Sequence, residues 1–201
     1  MFVTFEGVDG SGKTTQARLL AERLAAEGRE VVATREPGGT ELGERIRELV
    51  LHGGEVSPWA EAALFAASRA QHVAEVIRPA LGRGAVVVCD RYIDSSLAYQ
   101  GVARGLGLDE VLELNLTAVG GLLPERTFLL LIDPAAAIAR TAPTRDRIER
   151  EGGEFARRVD AGFRLLAERF PERIVPLDGT LPVAELAELV VAGLGAGRPG
   201  E

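Results

Sequence analysis

Apolar residues follow two rhythms along this chain. Short, dense runs recur at Phe2 to Phe5, "EVVAT" (30–34), "AVVVCD" (85–90), "TFLLLID" (127–133) and, more weakly, "RIVPLDG" (173–179). Between them apolar positions return every three or four residues. In Thr14 to Ala26 these are Ala17, Leu20, Ala21 and Leu24, one face of a helix, with Gly28 behind it as C-cap. "PGGTELGERIRELVL" turns and then becomes helical. The stretch from Ser57 to about Leu81 reads as one long helix, with Ser57 as N-cap, Pro58 at the first helical position and Glu61 behind it. Residues 154–169 and 183–194 carry the same periodicity. Runs that do not alternate with polar residues are strands buried on both faces. Strand–helix alternation of this kind predicts a three-layer α/β fold with a parallel sheet covered on both sides.

No repeat or linker divides the chain, so residues 1–195 are expected to form a single domain, with 196–201 as a frayed tail. The net charge of −7 leaves no broad basic footprint, which argues against a nucleic-acid partner. An anionic ligand must therefore meet a local cluster of arginines. Cys89 is the only cysteine, which removes an intrachain disulfide, and it reads as a small buried hydrophobe. No run approaches the roughly 18 apolar residues of a membrane span, and the N-terminus starts as a strand. The expectation is a cytoplasmic protein with no membrane partner.

The most specific local signal is "GVDGSGKTTQ" at 7–16. Gly7, Gly12, Lys13 and Thr14 match G-x-x-x-x-G-K-[ST], behind a strand and at the start of a helix. The glycines let backbone N–H groups of Gly7, Val8, Asp9, Gly10, Ser11 and Gly12 curl round a phosphate chain, and the helix start at Lys13, Thr14 and Thr15 adds partial positive charge. Lys13 is the sole lysine; every other basic residue among the 23 is arginine. A compact ammonium on a flexible stem can follow β- and γ-phosphates where a planar fork cannot. Thr14 offers a hydroxyl to Mg²⁺. With no second lysine, an N-K-x-D guanine-reading motif cannot exist, so a regulatory GTPase is excluded. Asp90 closes a buried strand at its carboxyl edge, where ligands of open α/β sheets lie, and suits the Mg²⁺ shell. Arg91 beside it suits a phosphate held by two parallel hydrogen bonds.

The set "FEGVDGSGKTTQ", "TREPGGT", "LFAASRAQH", "DRYIDSSLAYQG" and "RDRIE" resembles bacterial thymidylate kinase, in order from Phe2 to about Asp178. The resemblance implies a five-stranded parallel sheet of the nucleoside-monophosphate kinase type and the reaction ATP + dTMP → ADP + dTDP with Mg²⁺. It also implies a homodimer. By the same resemblance, Asp9 lies near the acceptor's phosphate and 3′-hydroxyl. The turn of Arg35, Glu36, Pro37, Gly38 and Gly39 borders the dTMP phosphate, usually with an unusual peptide bond at the proline. Phe65 stacks on thymine, Arg69 bonds its carbonyl, and Arg91 binds the dTMP phosphate and assists transfer. Ser96, Tyr99 and Gln100 close the base and sugar pocket. Arg140 opens a lid of about 140–152 and lies against adenine.

Phe65 and Arg69 are four residues apart and share one helix face, and a π-face with a donor fork is a reasonable reader of a pyrimidine. Tyr92 and Tyr99, the only tyrosines, both fall in the "DRY…AYQG" block, where a hydroxyl can position a ligand. His52 and His72 have no carboxylate–histidine pattern around them and read as surface or structural residues. Trp59 reads as core or interface. The loop residues Val8, Asp9, Gly10 and Ser11 supply no cation beyond Lys13, so the lid must, through Arg145 ahead of Arg147, whose "DRIE" stretch can instead anchor the lid to the following helix. Two other readings stay open on sequence: a P-loop kinase for a different small molecule, and a non-enzymatic ATP-binding regulator. The arginine and aromatic set outside the loop speaks against the latter.

Overall fold

The computed structural model describes residues 1–140 and 146–195. The five apolar runs are strands β1 (Phe2–Glu6), β2 (Val31–Arg35), β3 (Val86–Asp90), β4 (Arg126–Leu131) and β5 (Ile174–Asp178). They form one parallel sheet in the order β2-β3-β1-β4-β5, with Phe2 opposite Val87 and Val3 opposite Arg126. β1 is buried along its whole length and β3 along all but its last residue, as their unbroken apolar composition requires. β2 and β5 are edges and only partly covered.

The helices are α1 (Lys13–Ala26), α2 (Glu41–His52), α3 (Pro58–His72), α4 (Arg78–Gly82), α5 (Ile93–Ser96), α6 (Leu108–Val119), α7 (Pro134–Arg140), α8 (Gly153–Arg169) and α9 (Val183–Gly195). Alternate strand residues serve two cores. Val3, Phe5, Val86, Val88, Phe128 and Leu130 meet α1 and α9 through Leu20, Leu24, Leu186 and Val190. Phe2, Val87, Cys89 and Leu129 face the larger core with Val50, Val111, Phe163 and Leu166. The expected three-layer architecture is therefore the observed one.

Some local expectations change. The helix read as continuous from 57 to about 81 widens into a π-turn over Val73–Ile77 between α3 and α4. Pro79 has no N–H to give and its ring crowds the carbonyl four residues back, and a widened turn relieves both. Ser57 occupies the N-cap of α3, but its side chain accepts no capping bond. Thr40 does cap α2, accepting from Gly43 N at 3.0 Å. Gly28 stands one place beyond the C-cap of α1, at φ 84°, with its N–H on Ala25 O and that of Arg29 on Leu24 O. Residues 196–201, read as a tail, lie outside the described residues.

Candidate active site

All five strands end at one edge, and the loops leaving them build the site. β1 runs into the loop 7–12 and α1. Gly7 and Gly10 both have positive φ, and a Cβ on Gly10 would collide with Ala137 O in α7. The loop is therefore shaped by α7 as well as by its own motif. Gly12 caps α1 without a side chain, no acidic residue sits in its first turn, and Thr14 and Thr15 are exposed. The start of a helix carries partial positive charge, which suits phosphate oxygens.

Lys13 is buried to 6% exposure, its Nζ 3.0 Å from Asp9 Oδ1 and 3.4 Å from Val8 O. Burial, helped by Arg91, pulls its pKa below the usual lysine range against the pull of Asp9 and Asp90. The same Asp9 oxygen accepts from Arg91 Nη2 at 2.7 Å. Burial pushes the Asp9 carboxyl up, but Arg91 and Lys13 outweigh it and hold the group well below the ordinary carboxylate range. Asp9 thus stands ionised between two cations that come from different elements.

Thr14 Oγ1 donates to Asp90 Oδ2 at 2.5 Å, and Asp90 Oδ1 is buried without a partner. An orphaned carboxylate oxygen beside a hydroxyl at the mouth of a phosphate loop fits a Mg²⁺ shell. Among the described residues no cluster of three or more metal-ligating acids, histidines or cysteines exists.

Arg91 has φ 70°, the only described non-glycine residue in the left-handed region. Such strain gathers at functional sites. Its Nη1 donates to Ser95 Oγ at 2.9 Å, its Nη2 lies 3.4 Å from the Tyr99 hydroxyl, and its guanidinium lies over the Tyr99 ring at 5.4 Å.

A cleft opens beside Asp9 and Arg91, lined also by Phe65, Arg69, Tyr99 and Gln100. Glu36, Pro37 and Ser96 reach it too, so most of the residues assigned to the acceptor by resemblance are brought together. The Glu36–Pro37 peptide bond is cis, the unusual bond expected at that proline. Arg35 and Gly38 are not among its lining residues. Arg35 instead holds Glu44 through Nη2 at 2.9 Å. Arg69 is not a surface residue. Four of its five N–H groups go to Glu36 (2.6 Å), Ser96 (3.0 Å), Asn115 and Tyr92 O (3.0 Å), at 2% exposure. It organises the cleft as much as it lines it. Gln100 donates to Glu61 at 2.8 Å. Arg140 donates to Gly179 O at 3.2 Å, in the loop after β5 whose backbone lies against Ser11.

Several expectations are corrected. Glu61, read only as an acid at the helix start, is fully buried and receives Gln100, Arg104 and Arg147. Burial raises its pKa, but those three donors more than reverse the effect. Arg147 is not a free lid cation, since its Nε is on Val50 O at 2.8 Å and its Nη2 on Glu61 at 2.5 Å. It fastens its own segment to α2 and α3. Arg145 lies outside the described residues, as does the segment 141–144 expected to form part of the lid. His72 does have a carboxylate: Nδ1 is 2.9 Å from Glu36 Oε1 and Nε2 2.7 Å from Thr34 Oγ1. Tyr92 is core, its hydroxyl on Leu122 O at 3.1 Å. Trp59 is half exposed. Cys89 is buried as expected, and burial pushes its thiol up.

Sequence reasoning missed Arg47, which lines the cleft and donates to Pro37 O at 3.0 Å. Its spacing with Glu44 and Leu51 puts all three on the α2 face toward the turn, which was the available signal. Glu6 and Ser95 were missed as well.

A sequence model of the thymidylate kinase family, described as "Thymidylate kinase", matches residues 5–190. A thymidylate kinase of Synechococcus sp. (strain JA-2-3B'a(2-13)) is 54% identical over 93% of this chain and 90% of its own length. One from Pelotomaculum thermopropionicum is 53% identical over 89% and 85%. The crystal structure of thymidylate kinase from Ehrlichia chaffeensis superposes with a TM-score of 0.81 at 35% identity, covering 96% of this chain and 97% of that one.

Proposed function

Because the chain belongs to the thymidylate kinase family, we propose that the cleft beside Asp9 and Arg91 is where dTMP receives the γ-phosphoryl group of ATP. The reaction is ATP + dTMP → ADP + dTDP. The observation that carries the site assignment is the shared edge at Asp9. One carboxylate oxygen touches the lysine of the phosphate loop and the arginine of the acceptor cleft.

In this reading the loop 7–12 and the first turn of α1 hold the ATP phosphates, and Lys13 follows the transferring group. Thr14 and Asp90 would hold Mg²⁺, which when bound would neutralise charge on the phosphate oxygens. Arg91 takes the acceptor phosphate, Phe65 and Arg69 take the base, and Ser96, Tyr99 and Gln100 close the pocket. The turn at 35–39 borders the acceptor phosphate, and Arg140 borders adenine. Asp9 keeps both cations oriented. Catalysis is then positioning and preorganised charge, since phosphoryl transfer asks little covalent chemistry of the protein. Arg145 is the proposed lid cation, and closure of that lid excludes water.

Homodimerisation and a cytoplasmic location complete the reading. Exposed Leu42, Leu49 and Trp59 on α2 and α3 support an apolar face to be covered by a second copy, and sedimentation velocity would test it. No helix among the described residues is long and apolar enough to cross a membrane. The deciding experiment supplies the purified protein with ATP and Mg²⁺ and a panel of dTMP, dUMP, dCMP and GMP, with and without chelator. The expected result is ADP production led by dTMP and lost with the metal. Equal turnover of dCMP or GMP would reject the assignment of the cleft, and ATP binding without acceptor-dependent turnover would favour a regulator.

A further inference from the structure

Glu6 closes β1 one residue before the phosphate loop and is completely buried. Nothing in the catalytic reading uses it. Its Oε1 accepts from Tyr92 N at 2.8 Å and Ser95 N at 3.1 Å, and its Oε2 accepts from Ser95 Oγ at 2.6 Å. Ser95 Oγ in turn accepts from Arg91 Nη1 at 2.9 Å. With Glu6 ionised, the direction of this chain follows from chemistry. A guanidinium only donates, so the serine accepts from it and gives its single hydrogen to the Glu6 carboxylate.

We propose that Glu6 is a positioning residue for phosphoryl transfer, holding the Arg91 guanidinium in place through Ser95. The proposal rests on the reading of Arg91 as the acceptor-phosphate arginine. Three features support it. A neutral amide could accept the same two backbone N–H groups, so they do not call for a buried charge, which is costly to keep. Only a carboxylate can accept those two and the serine hydroxyl as well. Arg91 also needs more restraint than most residues, being held in a left-handed backbone conformation with its N–H on Phe5 O at 2.9 Å. Asp9 fixes one side of its guanidinium and the Ser95–Glu6 arm fixes the other. The groups around Glu6 agree with a tuned site: burial and Asp94 disfavour its charge, while Arg91, Ser95 and the Tyr92 N–H favour it. Cys89, Tyr99 and Arg173 are its other ionisable neighbours.

The test compares Glu6→Gln, Ser95→Ala and Arg91→Ala with the parent enzyme, measuring kcat and KM for dTMP and for ATP together with thermal midpoints. In Glu6→Gln the new amide nitrogen donates to Ser95 Oγ and reverses the arm; Ser95→Ala removes the arm and leaves Glu6 on the backbone. A misplaced guanidinium should lower kcat/KM for dTMP about tenfold to a hundredfold in both, with the ATP KM within about twofold. Arg91→Ala should fall further than either. If Arg91→Ala loses acceptor efficiency while Glu6→Gln and Ser95→Ala keep it, the positioning role is wrong and the site reading stands. If Arg91→Ala itself keeps it, the site reading fails. Losses that fall equally on both substrates and track the thermal midpoint would assign Glu6 to the fold alone. Should Glu6→Gln fail to fold, Ser95→Ala carries the same comparison.

Discussion

Lys13 combines near-complete burial with a single flexible ammonium reaching Asp9 and the loop backbone. Lys13→Ala should reduce kcat by on the order of 10²–10³, the scale of removing one preorganised donor from a developing charge. Lys13→Arg should restore little, because a planar fork cannot occupy the space of a compact ammonium. Steady-state kinetics on the two variants, with folding checked by circular dichroism, decides this. Phe65→Ala should weaken dTMP binding by roughly 1–3 kcal/mol and leave ATP binding nearly unchanged, as loss of a stacking face does. Calorimetric titration with each nucleotide measures it. Arg69 is a poorer probe of base reading, since its removal would also leave buried Glu36 and Asn115 short of a partner. Glu6 gives a prediction in pH. Burial and Asp94 push its carboxyl up to about 7 from 4.5. Between those values the folded protein holds a proton that the unfolded chain has released. The stabilisation is complete below about 4.5 and is lost as pH rises through about 7, roughly 3 kcal/mol in all. Glu6→Gln lacks this loss, so its stability relative to the parent should increase between pH 5 and pH 8 in denaturant titrations. A constant difference would contradict the assignment.

Among the elements, those written as contiguous patterns were legible in the sequence. The phosphate loop is a local motif whose glycines, lysine and hydroxyl lie within eight residues, and the strands are dense apolar runs. The π-turn at 73–77 was not legible, because periodicity registers a helix face and is blind to one widened turn. Nor were the partners of Glu6, Glu61 and His72. These lie 36 to 89 residues away in sequence and meet only once the sheet is ordered. Arg147 was legible only in part. Its place in "RDRIE" left open a cation for transfer or an anchor to the following helix, while its atoms join α2 and α3 instead. Arg147→Ala should therefore destabilise the fold by about 1–3 kcal/mol, by leaving buried Glu61 with one donor fewer. Its effect on single-turnover phosphoryl transfer should be smaller than that of Arg145→Ala, for which the expected loss is on the order of 10²-fold. The reverse order in quench-flow measurements would return Arg147 to the transfer step.

At the scale of the whole molecule, a net charge of −7 coexists with a site that gathers Lys13, Arg47, Arg69 and Arg91 at one sheet edge. Composition could only exclude a broad basic surface. It could not say where the arginines converge, because that depends on strand order, with β1 between β3 and β4. The same order puts one oxygen of Asp9 against Lys13 and Arg91, the cations that the proposed site gives to different substrates. The two nucleotides are then thermodynamically linked even though they need not touch. When one substrate's phosphates draw a cation away from Asp9, the electrostatic free energy of the other cation changes as well. Linkage makes that influence mutual: whatever factor dTMP imposes on the affinity of a non-hydrolysable ATP analogue, the analogue must impose on dTMP. In Asp9→Asn, with the shared counter-ion gone, that factor should move toward one.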